Sequence, residues 1–499
     1  MAGIERFVAA DDQWTSLLRA GNIPCDAQCM LLWVQRAQRA TDNRAANLAV
    51  RIGNALKLPV VALFVLAPGY PDATRRGYQF MAEGLAELPN DFAARGIAWT
   101  MRVGDPCSVV PALATELRAG CIVTDMDPLR IARGWRALVA ENLMVPFVEV
   151  ATDSIVPPSG FPKLEYAPRT IRPKLWRKIA SEPDLLDAIP TIRGNVPLID
   201  IDPGPNPREV VQSLKFSETS PPSNLHGGGR TARVQLADFV AHRLVDYPSL
   251  RDQPGSGQTS RLSAYLHFGQ ISPLAVARAA IAARVDDAAW EAPKGKATIG
   301  EGHSVIDEPL QTFLDELVTQ RELAINFCLR EPAYDAWEGI PDWGQRTLLE
   351  HVDDDRPALY SAMQLEAGET GDALWNAAQR QMVQQGFMPN RLRMYWAKQL
   401  LYWTRHPEEA LEIAIDLNDR YQLDGRDANG YANIAWAIGG RHDRPFPPRK
   451  PILGLIRPMS ARGVARSFDT GAYIQAVEAA TGAPMPGERP APSPGYRRR

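Results

Sequence analysis

The chain has 499 residues, 45% of them hydrophobic and 23% charged, with a formal net charge of −3. These are ordinary globular values for two or three domains with large cores, and no stretch approaches the roughly 18 uncharged apolar residues of a membrane span. Taken alone, the net charge argues against a strongly nucleic-acid-binding protein.

Residues 1–13 carry Glu5, Asp11 and Asp12 and no long apolar run, so no signal peptide is expected. Cys25, Cys29, Cys107, Cys121 and Cys328 form no CxxC pair and no Cys/His cluster. Reduced thiols in a soluble cytoplasmic protein, without a structural zinc, are the expectation.

Residues 1–26 read as an N-terminal extension. Residues 30–34 (MLLWV) and 60–66 (VVALFVL) are apolar runs, the second long enough for a strand buried on both faces. Residues 121–124 and 146–150 are further strand candidates, and 41–56, 75–94 and 108–119 read as helices. This alternation predicts an α/β domain over 27–160 built on a doubly wound parallel sheet. No GxGxxG follows the first strand, so an ordinary dinucleotide site is not expected. The strand runs instead into QRAQRATDNR, where Thr41 or Asp42 could cap the next helix.

Residues 161–235 read as an interdomain linker, rich in Pro, Ser and Gly from 201 and containing Gly227-Gly228-Gly229. From 236 to 482 the pattern is all-helical, with helices expected over 309–327, 372–385, 391–404 and 407–417. Pro309 suits a first helical turn. Residues 286–308 read as a loop and 483–499 as a disordered, Pro-rich tail.

The hydroxyls of TSRLSAYLHFG (259–269) fall at a helix start, where they suit a phosphate as well as a plain cap. Trp396 and Trp403 are seven apart and share a helix face, although tryptophan also simply packs cores. Around them LWNAAQ (374–379), LNDRY (417–421) and DGRDANGY (424–431) mix carboxylates, amides and glycines. Such a mixture lines a polar site for a flat aromatic ligand. Further on, Arg441, Arg444, Arg449, Lys450, Arg457, Arg462 and Arg466 stand against the single acid Asp443. That stretch reads as a basic surface or as an ordinary solvated face.

Together with FLDELVTQREL (313–323), RMYWAK (393–398), YAPRTIRPK (166–174), IAWAIGG (434–440) and HDR (442–444), these blocks resemble the photolyase and cryptochrome family. Within it they are most similar to the class II CPD photolyases, over residues 27–476. The resemblance implies light-dependent repair of cyclobutane pyrimidine dimers in UV-damaged DNA, with an FAD folded into the helical domain. It implies Thr259, Ser260, Leu262 and Ser263 at the phosphates, and Asn418 facing flavin N5. Arg393 and Asp424 would pair over the ring system, and Asp427 would lie near its pyrimidine edge. It implies Trp375, Trp396 and Trp403 as an electron relay from the surface.

A dimer inside a duplex must be flipped out to react. The resemblance implies Glu316 bonded to the flipped 5′ pyrimidine, Trp436 as an aromatic wall and Met394 beside the same pocket. Arg444 and Arg457 would enter the gap left in the DNA, with Arg441 in the same basic stretch. A second, antenna chromophore, a deazaflavin or a folate, is allowed in the sheet domain. A monomer without an obligate protein partner is expected. The chain departs from many relatives at Met388-Pro389-Asn390, where Met-His-Gly or Met-His-Asn is common, and at Gln320, often Arg or Trp.

Three other readings compete. A cryptochrome-like photoreceptor would share fold, flavin and tryptophans; the short stretch after Gly482 and the retained Glu316 and Trp436 favour repair over it. Repair of (6-4) photoproducts depends on pocket histidines; of the seven here, His442 alone falls in a block expected to face the substrate. A nucleotide-binding transferase built on the sheet alone would leave the helical region unexplained.

Overall fold

The computed structural model describes residues 2–9, 12–216, 221–284 and 307–490. A six-stranded sheet runs in the order Thr15–Arg19, Phe147–Val150, Ala119–Asp125, Cys29–Val34, Val60–Leu66, Ile97–Val103. Five strands are parallel, and Thr15–Arg19 lies antiparallel at one edge. Cys29–Val34 and Val60–Leu66 are buried at every residue, as strands covered by helices on both faces must be. The remainder is predominantly helical, so the expected α/β plus all-α architecture is the one observed.

Several expectations are corrected. Thr15–Arg19, read as part of an extension, is the edge strand of the sheet. Ile97–Val103 forms a strand that was not foreseen, in register with Val60–Leu66 from Val60↔Ile97 to Leu66↔Val103. The helix expected over 75–94 is two, Arg75–Leu85 and Leu88–Ala93. Pro89, in the first turn of the second, has no N–H with which to continue the first. Neither Thr41 nor Asp42 caps helix Arg44–Leu56; Asn43 does, accepting from the Ala46 N–H at 2.9 Å. The stretch read as a linker contains helices Pro168–Ser181 and Pro207–Ser213. Most of the loop read over 286–308 lies outside the described residues, as does 491–499 of the tail; residues 483–490, expected to be disordered, are instead packed, with Met485 buried and the Glu488 carbonyl accepting the Ala373 N–H at 3.2 Å. Among the described residues no helix is long and apolar enough to cross a membrane.

Sheet and helices meet at the loop after Cys29–Val34. Asp125 accepts the backbone N–H groups of Gln35, Arg36 and Ala37 at 2.7–2.8 Å, fixing that loop. Arg39 then pairs with Asp153 at 2.7 Å and donates to the Gly269 carbonyl at 3.0 Å. Gly269 has φ +60°, and a Cβ there would lie 2.0 Å from the Arg36 carbonyl oxygen. Only glycine fits this crossing of two backbones.

Candidate active site

The segment expected as one helix over 309–327 is three: Glu308–Leu314, a π-helical turn Asp315–Gln320, and Arg321–Arg330. A π turn adds a residue to the helical circuit and re-aims its side chains, a common device at functional sites. Here Glu316, Leu317, Gln320 and Arg321 all line one cavity of about 840 Å³.

Thr259, Ser260, Leu262 and Ser263 line the same cavity. Their loop is held from behind, Gln235 donating to the Ser260 carbonyl at 3.0 Å and Arg243 to that of Thr259 at 2.9 Å. Arg393 and Asp424 line it as an ion pair at 2.9 Å, with Arg393 also donating to the Met388 carbonyl at 2.9 Å. Asp427 caps helix Ala428–Gly439 through the Asn429 N–H at 2.9 Å and turns its other oxygen to Arg36 and His267. Burial alone would raise its carboxyl, but Arg36 and His267 hold it well below the usual carboxylate range.

Asn418 lies in a small recess adjoining the cavity and shared with Arg393, Met394, Trp396 and Gly430. Its amide donates to Asp419 at 2.8 Å. A Cβ on Gly430 would come within 2.9 Å of that amide nitrogen, so the missing side chain leaves the recess open.

Glu316, Trp436 and Met394 line the cavity as well, Met394 also bordering the Asn418 recess. Glu316 pairs with Arg251 at 2.7 Å. Burial pushes its carboxyl up, and Arg251 opposes that rise. The Trp436 indole donates to Asp443 at 3.3 Å. Arg457, exposed, belongs to the cavity wall, whereas Arg444 is exposed outside it.

Arg441 is a correction. It is buried, donates to the Gly339 carbonyl, pairs with Glu331 at 3.3 Å and lies over the Phe327 ring at 5.1 Å. A guanidinium spent on internal partners cannot meet a phosphate backbone. His442 does not face the cavity either. It is buried with Nδ1 3.0 Å from the Tyr166 carbonyl, and burial lowers it to about 4. The histidine that does line the cavity is His267.

Trp396 opens onto the Asn418 recess and stacks on Trp375, with centroids 6.1 Å apart and planes 10° apart. Trp375, fully buried, meets Trp403 edge-on at 5.3 Å. The three indoles are therefore in contact in the order Trp396, Trp375, Trp403.

Two cavity residues escaped sequence reasoning. Arg251 is remote from Glu316 in the chain, and nothing local signals the pair. Arg321 donates from Nη1 to the Asp153 carbonyl at 2.7 Å, yet its Nε and Nη2 have no partner among the described residues. A buried guanidinium with two idle donors is costly, and the charges of Asp153 and Asp427 beside it offset part of that cost. Only its place in FLDELVTQREL could have drawn notice to it. A second cavity, of about 140 Å³, lies at the carboxyl ends of the parallel strands, lined by Trp33, Gln35, Tyr70, Trp135 and Arg426 among others. That is where open α/β sheets bind ligands.

A family model described as DNA photolyase matches residues 30–192. The deoxyribodipyrimidine photo-lyase of Potorous tridactylus is 39% identical over 464 residues, covering 91% of this chain and 82% of that protein. The protein of the same name from Methanothermobacter thermautotrophicus is 35% identical over 458 residues, covering 90% and 94%. Among solved structures, an archaeal photolyase from Sulfolobus tokodaii with two FAD molecules superposes with a TM-score of 0.61 at 17% identity, covering 93% of this chain and 96% of that one. That last likeness is one of fold.

Proposed function

Since the chain is an enzyme of the deoxyribodipyrimidine photo-lyase family, we propose that it repairs cyclobutane pyrimidine dimers in DNA by light, with FAD and the dimer sharing the large cavity. The observation that carries the reading is the convergence there of the 259–263 hydroxyls, the Arg393–Asp424 pair, Asp427, Glu316, Met394 and Trp436.

The donor set fits FAD. The hydroxyls of Thr259, Ser260 and Ser263 suit a pyrophosphate. The Arg393–Asp424 pair suits the edge of a polar ring system, and the Asn418 amide can donate or accept as a ring nitrogen changes protonation. Bound there, FAD supplies light absorption and one-electron donation. The chain's own residues then position the dimer, exclude water and stabilise charge.

Trp436 offers a flat face to a flipped dimer, and Met394 fills space beside it. Glu316, its carboxyl raised by burial, is suited to donate a proton in a hydrogen bond to a pyrimidine carbonyl. Arg444 and Arg457 supply a basic rim for the phosphate backbone. The contact series Trp396, Trp375, Trp403 suits delivery of electrons toward the cavity. The cavity at the strand ends, with Trp33, Tyr70 and Trp135 among its aromatic lining, is the candidate place for an antenna chromophore.

The test is loss of a single thymine dimer from duplex DNA by the FAD-loaded, reduced protein under blue light and in the dark. Light-dependent loss is expected. No loss from protein that binds FAD and photoreduces would favour a photoreceptor without repair.

A further inference from the structure

Tyr395 lies in helix Asn390–Trp403, one residue before Trp396, and is fully buried. Its hydroxyl donates to Asp372 Oδ2. The other oxygen of that carboxylate caps helix Ala373–Gln385, accepting the N–H groups of Leu374 and Trp375 at 2.9 and 3.0 Å. The phenol thus runs from the residue preceding Trp396 to the carboxylate that accepts the Trp375 backbone N–H, tying it to the segments that carry the two stacked indoles. Burial and the facing carboxylate push the phenol above its ordinary value, so it rests un-ionised. Burial also pushes the Asp372 carboxyl up, making it a better base. Asp372 is half-buried, so a proton taken there is within reach of solvent.

We propose that Tyr395 is a redox-active tyrosine beside the tryptophan series, trapping an oxidising equivalent by giving an electron to an oxidised indole and its proton to Asp372. The electron fills the vacancy on Trp375 or Trp396. The phenolic O–H bond breaks and its proton goes to Asp372 Oδ2. The products are a neutral tryptophan, a neutral tyrosyl radical and a protonated carboxyl. The oxidant is the tryptophan radical cation left when light drives an electron toward the cofactor. An external thiol later supplies the returning electron, and the proton comes back from Asp372. A base already hydrogen-bonded to the phenol spares the apolar core an unpaired cation. The electron then cannot simply recombine, which prolongs the reduced state of the cavity's cofactor. This inference rests on reading the three tryptophans as a relay.

The experiment is flash excitation of the FAD-loaded, oxidised protein, followed by transient absorption and electron paramagnetic resonance in H₂O and D₂O. It compares the unaltered chain with Tyr395→Phe, Asp372→Asn and Trp396→Phe. A tyrosyl signal that rises as the tryptophan radical decays, more slowly in D₂O, is expected. Tyr395→Phe abolishes it and leaves a longer-lived tryptophan radical. Asp372→Asn keeps an N-cap but removes the base, and slows formation of the tyrosyl signal severalfold. A tryptophan radical with no tyrosyl signal and unchanged decay in Tyr395→Phe overturns the proposal and leaves the relay standing. Absence of any tryptophan radical, or undiminished photoreduction in Trp396→Phe, overturns the relay itself. The signal of the unaltered chain decides the matter even where a variant folds poorly.

Discussion

Glu316 and Arg251 form an ion pair at 2.7 Å in the wall of the large cavity, one on a π-helical turn and the other just beyond the short helix Tyr247–Leu250. Burial favours the neutral acid and the guanidinium favours the carboxylate, so the pair sets how far up the pH scale Glu316 keeps its proton. Replacing Arg251 with Met removes the opposing term. The alkaline limb of the repair-rate profile is expected to move up by about one unit or more, the range seen when a nearby cation is removed from a carboxylate. A limb that stays in place would show that Glu316 is not the titrating group.

Asp424 holds Arg393 at the cavity wall. Asp424→Asn keeps the shape and loses the charge-assisted bond, which is worth about 1.5–3 kcal/mol. FAD is expected to bind roughly tenfold to a hundredfold more weakly, read by flavin fluorescence on dilution. Unchanged retention of FAD would place the cofactor away from this pair.

Trp403→Phe interrupts the indole series at its outer member, against the Trp375 edge at 5.3 Å. Photoreduction of the bound flavin should largely disappear, while protein reduced chemically beforehand repairs dimers at the unaltered rate. Loss of both activities would mean that the substitution disturbs the core rather than the relay.

Glu322 is buried and accepts the Ile155 N–H at 2.7 Å, and burial raises its carboxyl from 4.5 to about 7. Its folded value lies above its unfolded one, so the stability it brings is fully present below about pH 4.5 and lost as pH rises through about 7. That rise is worth roughly 3 kcal/mol. Glu322→Gln should flatten the thermal-midpoint profile across this window; a profile as steep as before would assign the dependence to other groups.

What the sequence made legible follows from how local each signal is. Val60–Leu66 carries an unbroken apolar run and reads as a buried strand without help. Ile97–Val103 does not, because Thr100 and Arg102 interrupt it; yet Thr100 is fully buried, its hydroxyl donating to the Asp202 carbonyl at 2.8 Å. Thr15–Arg19 has no clean alternation of buried and exposed residues, since it covers only an edge. In the site, the 259–263 loop and the 417–431 block were legible as motifs. Arg251 and the idle donors of Arg321 were not, because both depend on a π turn and on packing between distant segments. The basic run beginning at Arg441 reads as one surface, but Arg441 turns inward onto Phe327 while Arg444 and Arg457 stay exposed. Composition cannot separate them.

The most direct test of a shared flavin and dimer cavity is single-turnover repair of a duplex holding one thymine dimer by FAD-loaded, reduced protein, unaltered and with Glu316→Ala, with dimer affinity measured in the dark on the same samples. The account predicts that the variant retains its FAD and repairs far more slowly per bound dimer. Equal repair rates per bound dimer would contradict it, and would put the reacting pyrimidines somewhere other than against Glu316.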